Sequence, residues 1–208
     1  MGKKKKQSRR IPVKPQNPET GLKVFSGKCE SQYPGGYPVG YLKWCQSNGW
    51  WGDDRIHLCA GGVIDPDSDR VDIQRTCIPA DSTGVRHGVK EFTTTANIIA
   101  DGRDTKLKPE QYDAVFIDPP YSRDLAERYY DTGDVYGGID SYIKEGYRLV
   151  KPGGLIVTLC YEIPRIYADL EMVAIYGTYQ VPPIRNMCAH FVFRKPGERE
   201  AQGLGPWL

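Results

Sequence analysis

The chain predicts an α/β fold whose sheet is mostly parallel and ends in an antiparallel hairpin. Three observations carry this. Short strand candidates alternate with polar or helical segments between residues 55 and 161. A nearly unbroken apolar run at 155–161 follows a helix stop, as expected of a parallel strand buried on both faces. Two further strand candidates, 172–179 and 189–194, then follow with only a turn around Pro182 and Pro183 between them.

In order, residues 1–14 hold seven of the 28 basic residues and no acid, leaving 21 basic against 26 acidic in the rest. Like charges ahead of Pro12, Pro15 and Pro18 cannot bury apolar surface, so 1–14 reads as a disordered basic arm. Residues 15–40, rich in Pro, Gly and Ser, read as irregular chain. A short helix is expected at 39–47, strands at 55–59 and 71–73, and a polar insertion at 76–92. Residues 96–100 and 112–117 are strands, the second stopped by Pro119 and Pro120. Ile139, Ile143, Tyr147 and Val150 have helical spacing over 140–150, closed by a turn at Lys151-Pro152-Gly153-Gly154. One domain over 15–196 with a flexible tail at 197–208 accounts for the 208 residues.

Several classes are disfavoured. No apolar run reaches the ~18 residues of a membrane span, and no apolar segment follows the charged N-terminus as in a signal peptide. Six cysteines without CxxC spacing fit a reducing cytoplasm better than a disulfide framework. Cys77 and His87 fall short of a zinc site, so no metal is expected. His57 and His190 sit in apolar strands, where packing is the ordinary role.

The chemistry concentrates at Tyr112-Asp113-Ala114-Val115-Phe116-Ile117-Asp118-Pro119-Pro120-Tyr121. An apolar strand delivers an acid, two prolines and an aromatic at its carboxyl end, the edge at which open α/β sheets bind ligands. An exocyclic amine is a weak nucleophile because its lone pair is delocalised into the ring. Asp118 and the Pro119 carbonyl, accepting its two N–H bonds, would draw the nitrogen toward sp³. Pro119 and Pro120 fix φ and aim that carbonyl, and Tyr121 offers a face to a flipped base. The bland alternative is a loop in which Asp118 caps a helix and Tyr121 packs.

Asp118-Pro119-Pro120-Tyr121 resembles motif IV of the class I S-adenosylmethionine-dependent amino-methyltransferases acting on adenine N6 or cytosine N4 of DNA. The resemblance covers about 55–195 and implies a Rossmann-like class I methyltransferase fold. Ile56-His57-Leu58-Cys59-Ala60-Gly61-Gly62 resembles motif I, the glycine loop beneath the methionine part of the cofactor, without its usual final G-x-G. By the same resemblance Asp72 holds the ribose hydroxyls, and Asp101, with Gly102 and Arg103, lies beside the adenine. Tyr33-Pro34-Gly35-Gly36 resembles motif X at the methionine end, with Tyr37 where a lysine often stands. The expected catalytic residues are therefore Asp118, Pro119, Pro120 and Tyr121. Those expected at the cofactor are Tyr33, Pro34, Gly35, Gly36, His57, Cys59, Ala60, Gly61, Gly62, Asp72, Asp101, Gly102, Arg103 and Asp118.

The expected function is methyl transfer from S-adenosylmethionine to a nucleobase amine, most directly adenine N6 in DNA, in a compact phage-type or microbial enzyme without a target-recognition domain. Nucleic acid would be held by the basic arm and by loops 76–92, 122–138 and 182–188, with Arg123, Arg128, Arg165, Arg185 and Lys195 as candidate phosphate contacts. A protein partner could supply target recognition. A C5-cytosine enzyme would need a Pro-Cys nucleophile, and no cysteine here follows a proline. The alternatives kept open are an RNA methyltransferase acting on guanine N2 or adenine N6, a glutamine-modifying enzyme of the related Asn-Pro-Pro-Tyr type, and a non-catalytic subunit that binds cofactor and nucleic acid. The expected location is the cytoplasm, and the Lys/Arg arm would also read as a nuclear address in a eukaryotic cell.

Overall fold

A computed structural model describes residues 18–25, 36–77, 91–129, 136–165, 169–180 and 187–197. The elements are β1 (Glu19–Phe25), α1 (Tyr41–Ser47), β2 (Arg55–Leu58), β3 (Asp69–Asp72), β4 (Thr76–Cys77), β5 (Phe92–Thr93), β6 (Ile98–Ile99), β7 (Tyr112–Ile117), α2 (Arg123–Tyr129), α3 (Gly138–Leu149), β8 (Val150–Cys160), β9 (Glu171–Gln180) and β10 (Met187–Arg194). One eight-stranded sheet has the order β1-β9-β10-β8-β7-β2-β3-β6, and β4 pairs with β5 separately. The pairs among β6, β3, β2, β7 and β8 are parallel, whereas β10 runs antiparallel to both β8 and β9. This is the Rossmann-like, mostly parallel sheet with a closing antiparallel hairpin that the sequence predicts.

Strand alternation divides the core. Ile56, Leu58, Val115, Ile117 and Ile156 face α3, where they meet Ile139, Tyr142, Ile143 and Leu149. Ala114, Phe116, Leu155, Val157 and Leu159 face the other way, toward Tyr41 and Cys45 of α1 and Trp50. Both faces of β7 and β8 are thus covered, which is why these strands read as apolar runs rather than as alternating ones. Gly146 lets α3 lie close to the sheet, since a Cβ there would stand 3.1 Å from Ile117 Cδ1. Lys195 closes the end of α3, its ammonium donating to the carbonyls of Tyr147 and Val150 at 3.0 Å and to Glu110 at 2.8 Å. A cation there opposes the partial negative charge of a helix C-terminus. Lys195 is buried by this role, which removes it from the candidate phosphate contacts.

The structure departs from the sequence reading in four places. β1 lies within the stretch expected to be irregular and pairs parallel to β9 at the edge of the sheet. It carried no signal because Leu22 and Val24 face outward, 65% and 53% exposed. α2 occupies part of the expected polar loop. The Lys151–Gly154 turn is real but sits inside β8: Tyr112 pairs with Val150 and Ala114 with Leu155, so the extra residues bulge out and the strand resumes. The ends of the expected insertion at 76–92 pair as β4 and β5. Residues 1–17, 26–35, 78–90, 130–135, 166–168, 181–186 and 198–208 lie outside the described residues, and with them Cys29, His87, Arg185, Pro182 and Pro183. Among the described residues no helix is long and apolar enough to cross a membrane, and no group of three or more metal-ligating side chains forms.

Candidate active site

The order of the sheet reverses between β2 and β7. β3 continues from β2 on one side and β8 from β7 on the other, so the loops leaving the two carboxyl ends diverge and open a crevice. The two ends remain tied, with the Asp118 N–H donating to the Leu58 carbonyl at 3.4 Å.

The loop after β2 turns sharply. Cys59 has φ +61° and Gly61 φ +50°, left-handed values that glycine takes freely and cysteine rarely. Its shape is held by Asp72 at the end of β3, whose Oδ2 accepts the Gly61 N–H at 2.8 Å while Oδ1 accepts that of Ile73 at 2.8 Å. From the far side the Gly61 carbonyl accepts Thr94 Oγ1 at 2.6 Å and the Thr95 N–H at 2.9 Å. Ala60, Gly61 and Gly62 are buried in consequence. Asp72 is itself buried, and that burial raises its carboxyl above the ordinary range against the backbone N–H groups that lower it.

Asp101 follows β6. Arg103 grips it with Nε at 2.9 Å, Nη2 at 2.7 Å and its backbone N–H at 2.9 Å, and this pairing holds the carboxyl below its usual value. Gly102 is where the loops meet: a Cβ there would stand 3.2 Å from Tyr142 Cε1 and 3.4 Å from Cys59 Sγ. Cys59, Asp72, Ile73, Asp101, Gly102, Pro120 and Tyr142 line one cleft, closed down to about 10 Å³, the space of roughly one water molecule.

Asp118 and Tyr121 stand at the end of β7. The Tyr121 hydroxyl donates to Asp118 Oδ1 at 2.5 Å. Burial pushes the Asp118 carboxyl up to about 7, only partly countered by that hydrogen bond. Pro119 is buried, and Pro120 reaches the cleft. The ring of Tyr161, just past β8, lies 4.4 Å from that of Tyr121 at an interplanar angle of 31°. Both hydroxyls interact with the Cys188 thiol of β10.

The structure thus brings Cys59, Asp72, Asp101, Gly102 and Pro120 to one cleft and sets Asp118 and Tyr121 on the same sheet edge. Arg103 reaches it only through Asp101. His57 is not part of it. Alternation within β2 turns His57 to the α1 face, where it stacks on Phe116 with ring centroids 4.9 Å apart and pairs through Nε2 with Asp65 at 3.0 Å. Burial holds its imidazole neutral, and a neutral ring must donate from Nε2 to satisfy a carboxylate. His190 is likewise buried, sharing a 2.8 Å hydrogen bond with the Tyr41 hydroxyl. Gly36 is described, at φ +137°, but Tyr33, Pro34 and Gly35 are not. Tyr142, Tyr161 and Cys188 were missed. Tyr161 carried a usable signal: it ends an apolar strand, as Asp118 does.

No family model matches this chain, and no curated protein matches its sequence. Solved structures are distantly similar to it. One is yhhF from Escherichia coli, named as a methyltransferase: 11% identity, 85% of this chain and 99% of that one covered, TM-score 0.47. A second is a SAM-dependent O-methyltransferase from Thermotoga maritima, with 13% identity, coverage of 79% and 67%, and TM-score 0.38. A third, from Anaeromyxobacter dehalogenans, is named as a type II methyltransferase, with 16% identity, coverage of 65% and 52%, and TM-score 0.35. These are likenesses of overall shape, and the fold assignment itself stands on the strand order and the reversal between β2 and β7.

Proposed function

We propose that this chain transfers a methyl group from S-adenosylmethionine to an exocyclic amine of a nucleobase, adenine N6 in DNA being the acceptor. The observation that carries the reading is the Asp118–Tyr121 pair, a half-buried carboxylate and an aromatic ring held together on the carboxyl edge beside the reversal of the sheet. The cleft residues fit the cofactor in donor chemistry. Two carboxylates end adjacent strands, suited to ribose hydroxyls and an adenine amine. The left-handed turn at Cys59 and Gly61 keeps backbone rather than bulk at the floor. The cleft must widen to admit the molecule.

When bound, the cofactor supplies an electrophilic methyl on a sulfonium. The chain's part is to prepare the amine. Asp118 accepts one amine N–H and the Pro119 carbonyl the other, which localises the nitrogen lone pair. Tyr121 supports the ring. No strong base is required, since proton loss to Asp118 or water can follow transfer. Alignment and exclusion of water account for most of the rate. Basic residues 1–14 hold the DNA backbone without reading its sequence, so removing them should weaken retention at low salt and flatten its salt dependence.

The test is transfer of labelled methyl to duplex DNA, single-stranded DNA and total RNA, followed by nucleoside analysis. N6-methyladenine from DNA is the expected product. Label confined to RNA would transfer the same mechanism to a different substrate. Cofactor binding without label in any pool would turn the assignment to a binding subunit. Asp118→Ala should abolish transfer and leave cofactor retention intact.

A further inference from the structure

Tyr161 packs against Tyr121, the ring on which an acceptor base would stack. Tyr121 packs against the core that α1 covers. The Tyr161 ring lies against that of Tyr121, 4.4 Å between centroids at 31°. A base stacked instead on the outside of Tyr161 would lie a whole ring layer further out, beyond hydrogen-bond reach of Asp118. Tyr121 also spends its hydroxyl on Asp118 Oδ1, one of the oxygens the amine would use. The resting site therefore contains an internal stand-in for its acceptor: a ring where the base would stack, and a hydroxyl where the amine would donate.

The surroundings of Tyr161 allow its side chain to leave while the backbone stays. Cys160 is buried at the end of β8, and its thiol donates to the Glu162 carbonyl at 3.1 Å. The Glu162 carboxylate accepts from the Tyr136 hydroxyl and from the Ile139 N–H at the start of α3. Arg165 is fastened to Asp140 through its backbone N–H at 2.8 Å. Between these anchors Tyr161 is 43% exposed, so rotation about its own side-chain bonds carries the ring toward solvent.

Resting on the acceptor reading above, we infer that Tyr161 is a specificity-determining gate. It yields to a planar aromatic acceptor, which replaces the ring–ring contact it breaks, and resists aliphatic amides such as a glutamine side chain, which cannot. Tyr161 is a positioning residue and takes no part in bond making.

The experiment compares wild type, Tyr161→Phe and Tyr161→Ala in methyl transfer to unmethylated genomic DNA, with thermal unfolding as a check on folding. Losing an aromatic pair that the acceptor must otherwise displace should lower KM for DNA by about 2- to 10-fold in Tyr161→Ala. The expected kcat is unchanged, and Tyr161→Phe, which keeps the ring and gives up only the hydroxyl's contact with Cys188, should lie closer to wild type than to Tyr161→Ala. Binding read separately, by fluorescence of random duplex DNA carrying 2-aminopurine, should strengthen most in Tyr161→Ala. A KM that rises or stays constant in a folded, active Tyr161→Ala would overturn the gate and leave the acceptor reading standing. Absence of transfer by wild type would overturn the acceptor reading, and the gate with it.

Discussion

Asp118 sets the pH response of the proposed reaction. Its carboxyl ionises near 7 because burial disfavours the charge, and only the carboxylate accepts an amine N–H. Initial rates should climb with pH through about 7 and level above it. The same shift acts on stability with the opposite sign. A carboxyl whose pKa is raised on folding penalises the fold as pH rises from its unfolded value toward 7, and the penalty is constant above that. Asp118→Asn should therefore raise the melting temperature at pH 8 and change it little at pH 4, while transfer is lost. Asp65 behaves in reverse. Burial alone would raise its carboxyl, but His57 and bidentate Arg55, at 2.6 and 2.7 Å, outweigh that and hold it below the usual range. Its contribution is present at neutral pH and lost as pH falls below the ordinary carboxylate range. Removing one member of a buried pair typically costs about 3–5 kcal/mol, and Asp65→Ala should show a loss of that order in urea unfolding at pH 7. Asp118 and Tyr121 were legible in sequence because local chemistry defines them. Tyr142 was not, because its place depends on which helix face the fold brings alongside; Tyr161 offered only its position at the end of an apolar strand.

At the scale of elements, β7 was read to its exact bounds, 112–117, since burial on both faces leaves an apolar run and two prolines mark its end. β1 and α2 escaped for one reason: their outward residues face water, so no periodic signal separates them from loop. The bulge in β8 shows a different kind of miss. Pro152-Gly153-Gly154 was read as a turn between two elements, whereas hydrogen bonding resumes across it, with Gly153 N–H donating to Lys195 at 2.9 Å and Lys195 N–H to Gly154 at 3.0 Å. Gly154 is required there by space, since a Cβ would come within 2.7 Å of both the Asp113 carbonyl oxygen and Val150 Cγ2. Gly154→Ala should destabilise by about 1–3 kcal/mol, the range of overpacked sites, measured as a lower denaturant midpoint at constant slope. Leu22→Lys, on the outward side of β1, should fall within about 0.5 kcal/mol of wild type.

For the whole molecule, the reversal between β2 and β7 determines where chemistry is possible, and the parallel pairs around it could be anticipated from the alternation of strands and helices alone. The placement of β1 beyond β9 could not, since nothing local encodes which edge a strand joins. Aromatic residues are distributed with a similar asymmetry. Trp44 and Trp50 gather around neutral His190 on the α1 side, with centroids 4.8 and 5.0 Å from the imidazole, and Tyr176 and Tyr41 complete the group. Trp51 lies on that side as well, beneath Arg55 and against Phe116. The cleft side is furnished with tyrosines instead. The three tryptophans among the described residues therefore all lie on one side of the sheet. Their emission follows the seating of α1 against the sheet during unfolding.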